Sequence, residues 1–119
     1  VMFSSFDPEV VVLLLRKQNA FPVFFLTDAG TDRYSDPRKN SLRAAIRFAK
    51  RYGCLGIVSN SAPLVEAPRL ISAVLSSGLL LCSYGAGNND TVKVKLQQRH
   101  GVHVVIVDHV AHISKSLTQ

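Results

Sequence analysis

Much of what usually betrays a function is scarce in this chain. Its 119 residues include two cysteines, Cys54 and Cys82, each inside an apolar run ("CLGIV", "LLLCSY"). They have neither metal-ligand spacing nor the density of a disulfide scaffold. Buried free thiols pack as small hydrophobes, so a reducing, cytoplasmic compartment is the expectation. No apolar stretch approaches the ~20 residues of a membrane span. No basic segment precedes the first apolar run, as it does in a secretory signal. Carboxylate pairs are lacking as well. Asp28 and Asp108 are the candidate bases, and a loop start and a strand-end cap are their favoured roles.

Histidine is present four times without forming a recognisable centre. His100 falls at a helix C-terminus, where a cation suits the dipole. His103 lies in a strand, and His109 and His112 stand three apart in the tail. A zinc site needs a further placed ligand, and no Ser-His-Asp spacing is evident. The formal net charge is +6. Its densest part, "RKNSLRAAIRFAKRYG", sets Leu42, Ala45, Ile46 and Ala49 on one helical stripe. Arg43, Arg47, Lys50 and Arg51 fall on the other. The expectation is a solvated outer face without the aromatic interleaving of a stacking platform, and no nucleic-acid partner.

What is there is a repeat. Five apolar runs, "VMFSSF", "PVFFLT", "CLGIVS", "LLLCSY" and "VHVVIVD", alternate with amphipathic stretches of helical length. The runs are continuously apolar rather than alternating, the pattern of parallel strands covered on both faces. Helix signals sit between them. Asp7, Pro8 and Glu9 form a start, Asn40 or Ser41 caps the second helix, and Asn89 or Asp90 caps "TVKVKLQQRHG". Gly53, Gly78 and Gly101 end helices, and a last partial helix is expected over 110–117. Units of about 20 to 30 residues suit βα repeats with right-handed crossovers. The longest irregular stretch, "DAGTDRYSDPRKN", follows a strand end, where long loops tend to be functional.

Two architectures accept five such units. One is a complete doubly wound, flavodoxin-like sheet, and the other is the C-terminal part of a (β/α)8 barrel. The first lacks its chemistry, because "SSFDPE" has neither a Gly-rich turn nor clustered acids. In both, ligand groups gather at strand C-termini: Ser5 and Phe6; Thr27 and Asp28; Ser59 and Asn60; Ser83, Tyr84 and the loop to Asn89; Asp108 and His109. These hydroxyls, amides and aromatics position a ligand rather than cut one. "SYGAGNND" is a weak phosphate-cradle candidate, and a flexible turn ending in a cap explains the same letters.

Taken together, "FSSFDPEVVVLLLRKQNAFPVFFLT", "RKNSLRAAIRFA", "LGIVS", "LLLCSYGAGNND" and "GVHVVIVDHV" resemble the C-terminal part of the glycerophosphodiester phosphodiesterase family. The likeness is greatest to its eukaryotic intracellular members, including those acting on glycerophosphocholine, and it covers essentially the whole chain. It implies a (β/α)8 barrel in which "VMFSSF" is the fourth strand and "VHVVIVD" the eighth, so that residues 1–119 are a partial domain. It also implies hydrolysis of a glycerophosphodiester to sn-glycerol 3-phosphate and an alcohol, with a divalent metal (Mg or Ca).

The family's catalytic histidines and acidic metal ligands belong to strands one to three. No His-Arg-Gly or Glu-x-Asp occurs here, so no catalytic or metal role carries to this chain. What carries over is a substrate-binding wall. Ser5 and Phe6 match a Ser-Phe at the fourth strand end, Tyr84 stands where many members have Trp, and Asn89 matches the Asn that follows. Asn60 stands where some relatives are acidic. The abrupt opening "VMFSSFDPEV" is then expected to be a cut edge, with an exposed first strand, an inactive isolated chain and the N-terminal half of the barrel as its missing partner. A non-catalytic half-barrel interaction module and a five-stranded regulatory domain are the alternatives.

Overall fold

The computed structural model describes residues 2–30, 37–39 and 41–106. Five strands alternate with helices along the chain. They are β1 (Phe3–Ser5), α1 (Pro8–Lys17), β2 (Val23–Thr27), α2 (Leu42–Tyr52), β3 (Gly56–Asn60), α3 (Ser61–Glu66), α4 (Arg69–Ser76), β4 (Leu80–Tyr84), α5 (Thr91–His100) and β5 (Val104–Val105). Single 3-10 turns cover Pro37–Lys39 and Ala86–Asn89.

Local chemistry sets the helix ends. Asp7 Oδ1 accepts from Glu9 N at 2.9 Å with Pro8 at the first helical position, which starts α1. Ser41 Oγ accepts from Ala44 N at 3.0 Å and starts α2, while Asp90 Oδ1 accepts from Val92 N at 2.9 Å and starts α5. Between those alternatives, Ser41 and Asp90 are the caps; Asn40 lies outside the described residues. Gly53 and Gly101 take left-handed conformations at the ends of α2 and α5, as their positions predict. The third crossover departs from one helix per unit. Proline at 68 lacks an N–H and disfavours helical backbone at Ala67 before it, so α3 stops and α4 begins.

All strand pairs are parallel, in the order β1-β2-β3-β4-β5. A flavodoxin-like sheet reverses its strand order at a switch point, and this sheet does not. The regulatory-domain alternative is thereby overturned. A sequential parallel order with helical crossovers is the arrangement of part of a (β/α)8 barrel. β1 and β5 are its edges among the described residues.

Strand periodicity segregates the core into two clusters. Val23, Phe25, Ile57 and Leu81 face the helices, packing with Val11, Ala45, Phe48, Leu64, Ile71 and Val74. Phe24, Val58 and Cys82 form a cluster on the opposite face, joined by Leu26 and Tyr84. Burial on both faces, expected from the continuous apolar runs, holds for β2, β3 and β4. Gly56 is required here by close approach. A Cβ on it would run into the Leu80 carbonyl oxygen and lie 2.7 Å from Phe24 Cε2.

One expectation needs correction. Phe48 and Tyr52 lie among the α2 charges, and guanidiniums sit over both rings. Arg38 Cζ is 5.6 Å from the Phe48 centroid and Arg51 Cζ 5.7 Å from that of Tyr52. Arg38 reaches Phe48 from the turn before α2, and Arg51 reaches the ring of its own neighbour Tyr52 at the end of the helix, so neither contact follows from helical spacing.

Candidate functional site

The C-terminal ends of β1 and β4 bring two aromatic side chains together. Phe6 and Tyr84 meet edge to face, with centroids 6.0 Å apart and planes at 85°. That geometry sets the positive edge of one ring against the negative face of the other. The Tyr84 hydroxyl donates to Thr27 O at 3.3 Å, tying the ring to the end of β2. Thr27 in turn accepts from Ala29 N through Oγ1 at 3.1 Å, and Asp28 Oδ1 accepts from Gly30 N at 3.0 Å. Asp28 is thus a turn-former at the start of its loop, with Ala29 in the left-handed region (φ 59°).

Tyr84, Gly85, Ala86, Asn89 and Ile106 line a cavity of about 390 Å³. Asn89 is exposed on its rim. Of the four residues that the resemblance assigns to a substrate wall, Phe6, Tyr84 and Asn89 gather at one strand-end rim. Ser5 is placed differently. The register sets Ser4 beside Phe24 and Ser5 beside Phe25, so Ser5 lies on the helix side. Its Oγ accepts from Asp7 N at 3.0 Å, which fixes the turn that presents Phe6.

Asn60 Oδ1 accepts from Ala62 N at 3.1 Å and begins α3. The loop after β4 presses onto this corner. A Cβ at Gly85 would lie 3.1 Å from Asn60 Oδ1, and its φ of 117° is one that L-residues avoid. Close approach explains the glycine, and Asp90 occupies the α5 N-terminus, so "SYGAGNND" is a turn and cap.

Sequence reasoning missed the network that holds this loop. Asn88, 1% exposed, donates through Nδ2 to Ser83 Oγ at 3.1 Å and to Ile106 O at 2.9 Å. Gln97, fully buried, donates from Nε2 to Asn88 Oδ1 at 2.8 Å and to Lys93 O at 3.3 Å. The Ile106 carbonyl can only accept, so it fixes the Asn88 amide, and Asn88 then fixes Gln97. Gln97 Oε1 is left without a partner. Nothing in "LQQRH" marks one glutamine as a core residue, and no local pattern joins it to Asn88 nine positions earlier.

The remaining candidates lie elsewhere. His103 Nδ1 accepts from Leu81 N at 3.0 Å, and His100 ends α5. Both sit at the opposite end of the sheet from Tyr84. Asp108, His109, His112 and the expected tail helix lie outside the described residues. Burial pushes the Cys54 thiol up to about 11 and raises that of Cys82, as suits unreactive core thiols. Among the described residues, no three His, Cys, Asp or Glu side chains come together, so this donor set does not fit a divalent metal. No helix among them is long and apolar enough to cross a membrane.

Residues 1–112 match the Glycerophosphoryl diester phosphodiesterase family. The chain is 50% identical over 119 residues to the Glycerophosphocholine phosphodiesterase GDE1 of Eremothecium gossypii, spanning all of this chain and 9% of that protein. It is 40% identical over 119 residues to the chloroplastic Glycerophosphodiester phosphodiesterase GDPD1 of Arabidopsis thaliana, spanning 33% of it. Against the Glycerophosphocholine phosphodiesterase GPCPD1 of Mus musculus it is 29% identical over 113 residues, covering 92% of this chain and 17% of that protein. The chain thus spans a tenth to a third of the length of these relatives. With its sequential parallel sheet and a match over nearly all of its length, the chain belongs to the glycerophosphoryl diester phosphodiesterase family.

Proposed function

We propose that residues 1–119 supply the C-terminal βα units of a (β/α)8 barrel that hydrolyses glycerophosphodiesters such as glycerophosphocholine. The products are sn-glycerol 3-phosphate and an alcohol. The observation that carries this reading is the meeting of Phe6 and Tyr84 beside the cavity lined by Asn89. Strand C-terminal ends are where barrels of this kind bind their substrates.

The roles follow from the chemistry of each group. The paired rings offer an apolar surface to the glycerol or head group and keep water from that side. The Tyr84 hydroxyl is held by Thr27 O, so the ring is oriented before substrate arrives. The exposed Asn89 amide can donate to and accept from substrate hydroxyls. Ser5 acts on the site through the turn that presents Phe6.

None of these groups supplies a proton or neutralises a developing phosphoryl charge, which phosphodiester hydrolysis requires. In this reading the acid–base groups and the ligands for Mg or Ca come from the N-terminal half of the barrel, and this chain alone is inactive. The two buried thiols favour a reducing compartment such as the cytoplasm.

The test is made in the enzyme carrying this segment. Tyr84→Ala is expected to raise the KM for glycerophosphocholine about tenfold with a smaller change in kcat, the signature of lost substrate binding. Unchanged KM in both Tyr84→Ala and Asn89→Ala would overturn the assignment of the wall.

A further inference from the structure

The outer face of α2 carries a second groove, which shares no lining residue with the cavity beside Tyr84. Arg38, Ala44, Arg47, Phe48, Arg51 and Tyr52 enclose a groove of about 300 Å³. Its floor is aromatic and rigid. Phe48 is anchored against Phe25 with centroids 4.7 Å apart, and Tyr52 packs on Phe48 at 5.0 Å. Arg38 lies over Phe48 and Arg51 over Tyr52. Stacking a guanidinium on a ring restricts its rotamers, so less freedom is lost when it takes a ligand.

The charges are not matched locally. Arg47 and Arg51 stand one helical turn apart, both exposed, and neither holds an ion pair or hydrogen bond among the described residues. Like charges at that spacing destabilise a helix. Residues Leu42–Tyr52 contain no acid to offset them. Arg38 differs, because it pairs with Glu9 at 2.9 Å across to α1. Lys50 is also engaged, donating to Ser77 O at 2.8 Å. Arg43, one turn before Arg47, is likewise exposed and unpaired among the described residues but does not line the groove, so the unmatched charge beside the rings is that of Arg47 and Arg51.

We propose that this groove binds a phosphate group through Arg47 and Arg51, with Arg38 at its rim. Guanidinium forks match phosphate oxygens in pairs, which a point charge does not. The volume is at the small end of ligand sites, suited to one phosphate with a short substituent rather than a nucleic-acid track. The phosphate can belong to a soluble phosphoester or to a phospholipid head group, and the shared chemistry is the same.

The experiment follows backbone amides of the 119-residue chain by NMR during titration with inorganic phosphate. It is repeated with phosphatidylcholine vesicles with and without phosphatidic acid. The double variant Arg47→Gln/Arg51→Gln is compared with Arg43→Gln/Lys95→Gln, which removes the same charge from other exposed positions. The proposal predicts saturable shifts at Arg47, Arg51 and Tyr52. Charge-assisted hydrogen bonds imply at least about tenfold weaker binding in the first double variant and less than about twofold in the second. A response to free phosphate assigns a soluble ligand; a response to phosphatidic acid vesicles alone assigns a lipid head group. No saturable response to either, or equal weakening in the two double variants, overturns the site.

Discussion

The middle of the sheet and its edges are made from similar apolar residues, yet they end in different surroundings. In β3, Ile57 and Val58 point to opposite faces and are 0% and 2% exposed. On the β5 edge, Val104 is 51% exposed and Ile106 43%; next to β1, Met2 and Phe6 are similarly open. β2, β3 and β4 each have two strand neighbours and a helix layer, whereas β1 and β5 have one strand neighbour each among the described residues. Stability is therefore concentrated in the centre, and the proposed binding rim straddles the boundary. Tyr84 belongs to a central strand, and Phe6 to an edge.

Four substitutions separate these regions, and denaturant unfolding of the chain reads each. Phe25→Ala removes a fully buried ring from the central core and is expected to cost about 4 kcal/mol, whereas Val104→Ala at the edge costs under about 0.5 kcal/mol. Comparable losses at the two positions would break the contrast. Gly56→Ala drives a methyl into the Leu80 carbonyl and Phe24, at about 3 kcal/mol. A neutral result would mean β3 and β4 can separate without loss. Asn88→Ala takes one of its two acceptors from Gln97 Nε2 and removes the Asn88 donor from the Ile106 carbonyl, at about 2 kcal/mol. Its amide-exchange signature should be faster exchange at Ile106, whose N–H bonds Ser83 O, and at the Tyr84–Asn89 loop. Unchanged exchange there would show that the network does not hold the loop.

How much of this was legible in the sequence depends on whether a feature is local. The strands, the Asp7 and Ser41 caps and the glycine helix ends are set by residues within one turn of each other, and they were readable. Continuous apolar runs such as "PVFFLT" revealed two-sided burial, because no polar position interrupts them. The resemblance pointed to Ser5, Phe6, Tyr84 and Asn89; the last three meet at one rim, whereas Ser5 lies on the helix side. Their meeting depends on the pairing of β1 through β4, which no local pattern encodes. The Asn88–Gln97 network was illegible for the same reason: two amides nine positions apart are joined only by the fold. Pro68 was legible in principle, since an internal proline predicts the break between α3 and α4. The ring contacts of Phe48 and Tyr52 were not, since Arg38 reaches Phe48 from outside α2 and Arg51 is the immediate neighbour of Tyr52.

The most direct test of the central claim is a glycerophosphocholine hydrolysis assay of the 119-residue chain in Mg2+ and in Ca2+, alone and combined with the N-terminal half of a family barrel. The account predicts no turnover above background for the chain alone and turnover from the combination, lowered when Tyr84 is replaced by Ala. Robust metal-dependent turnover by the chain alone would contradict it.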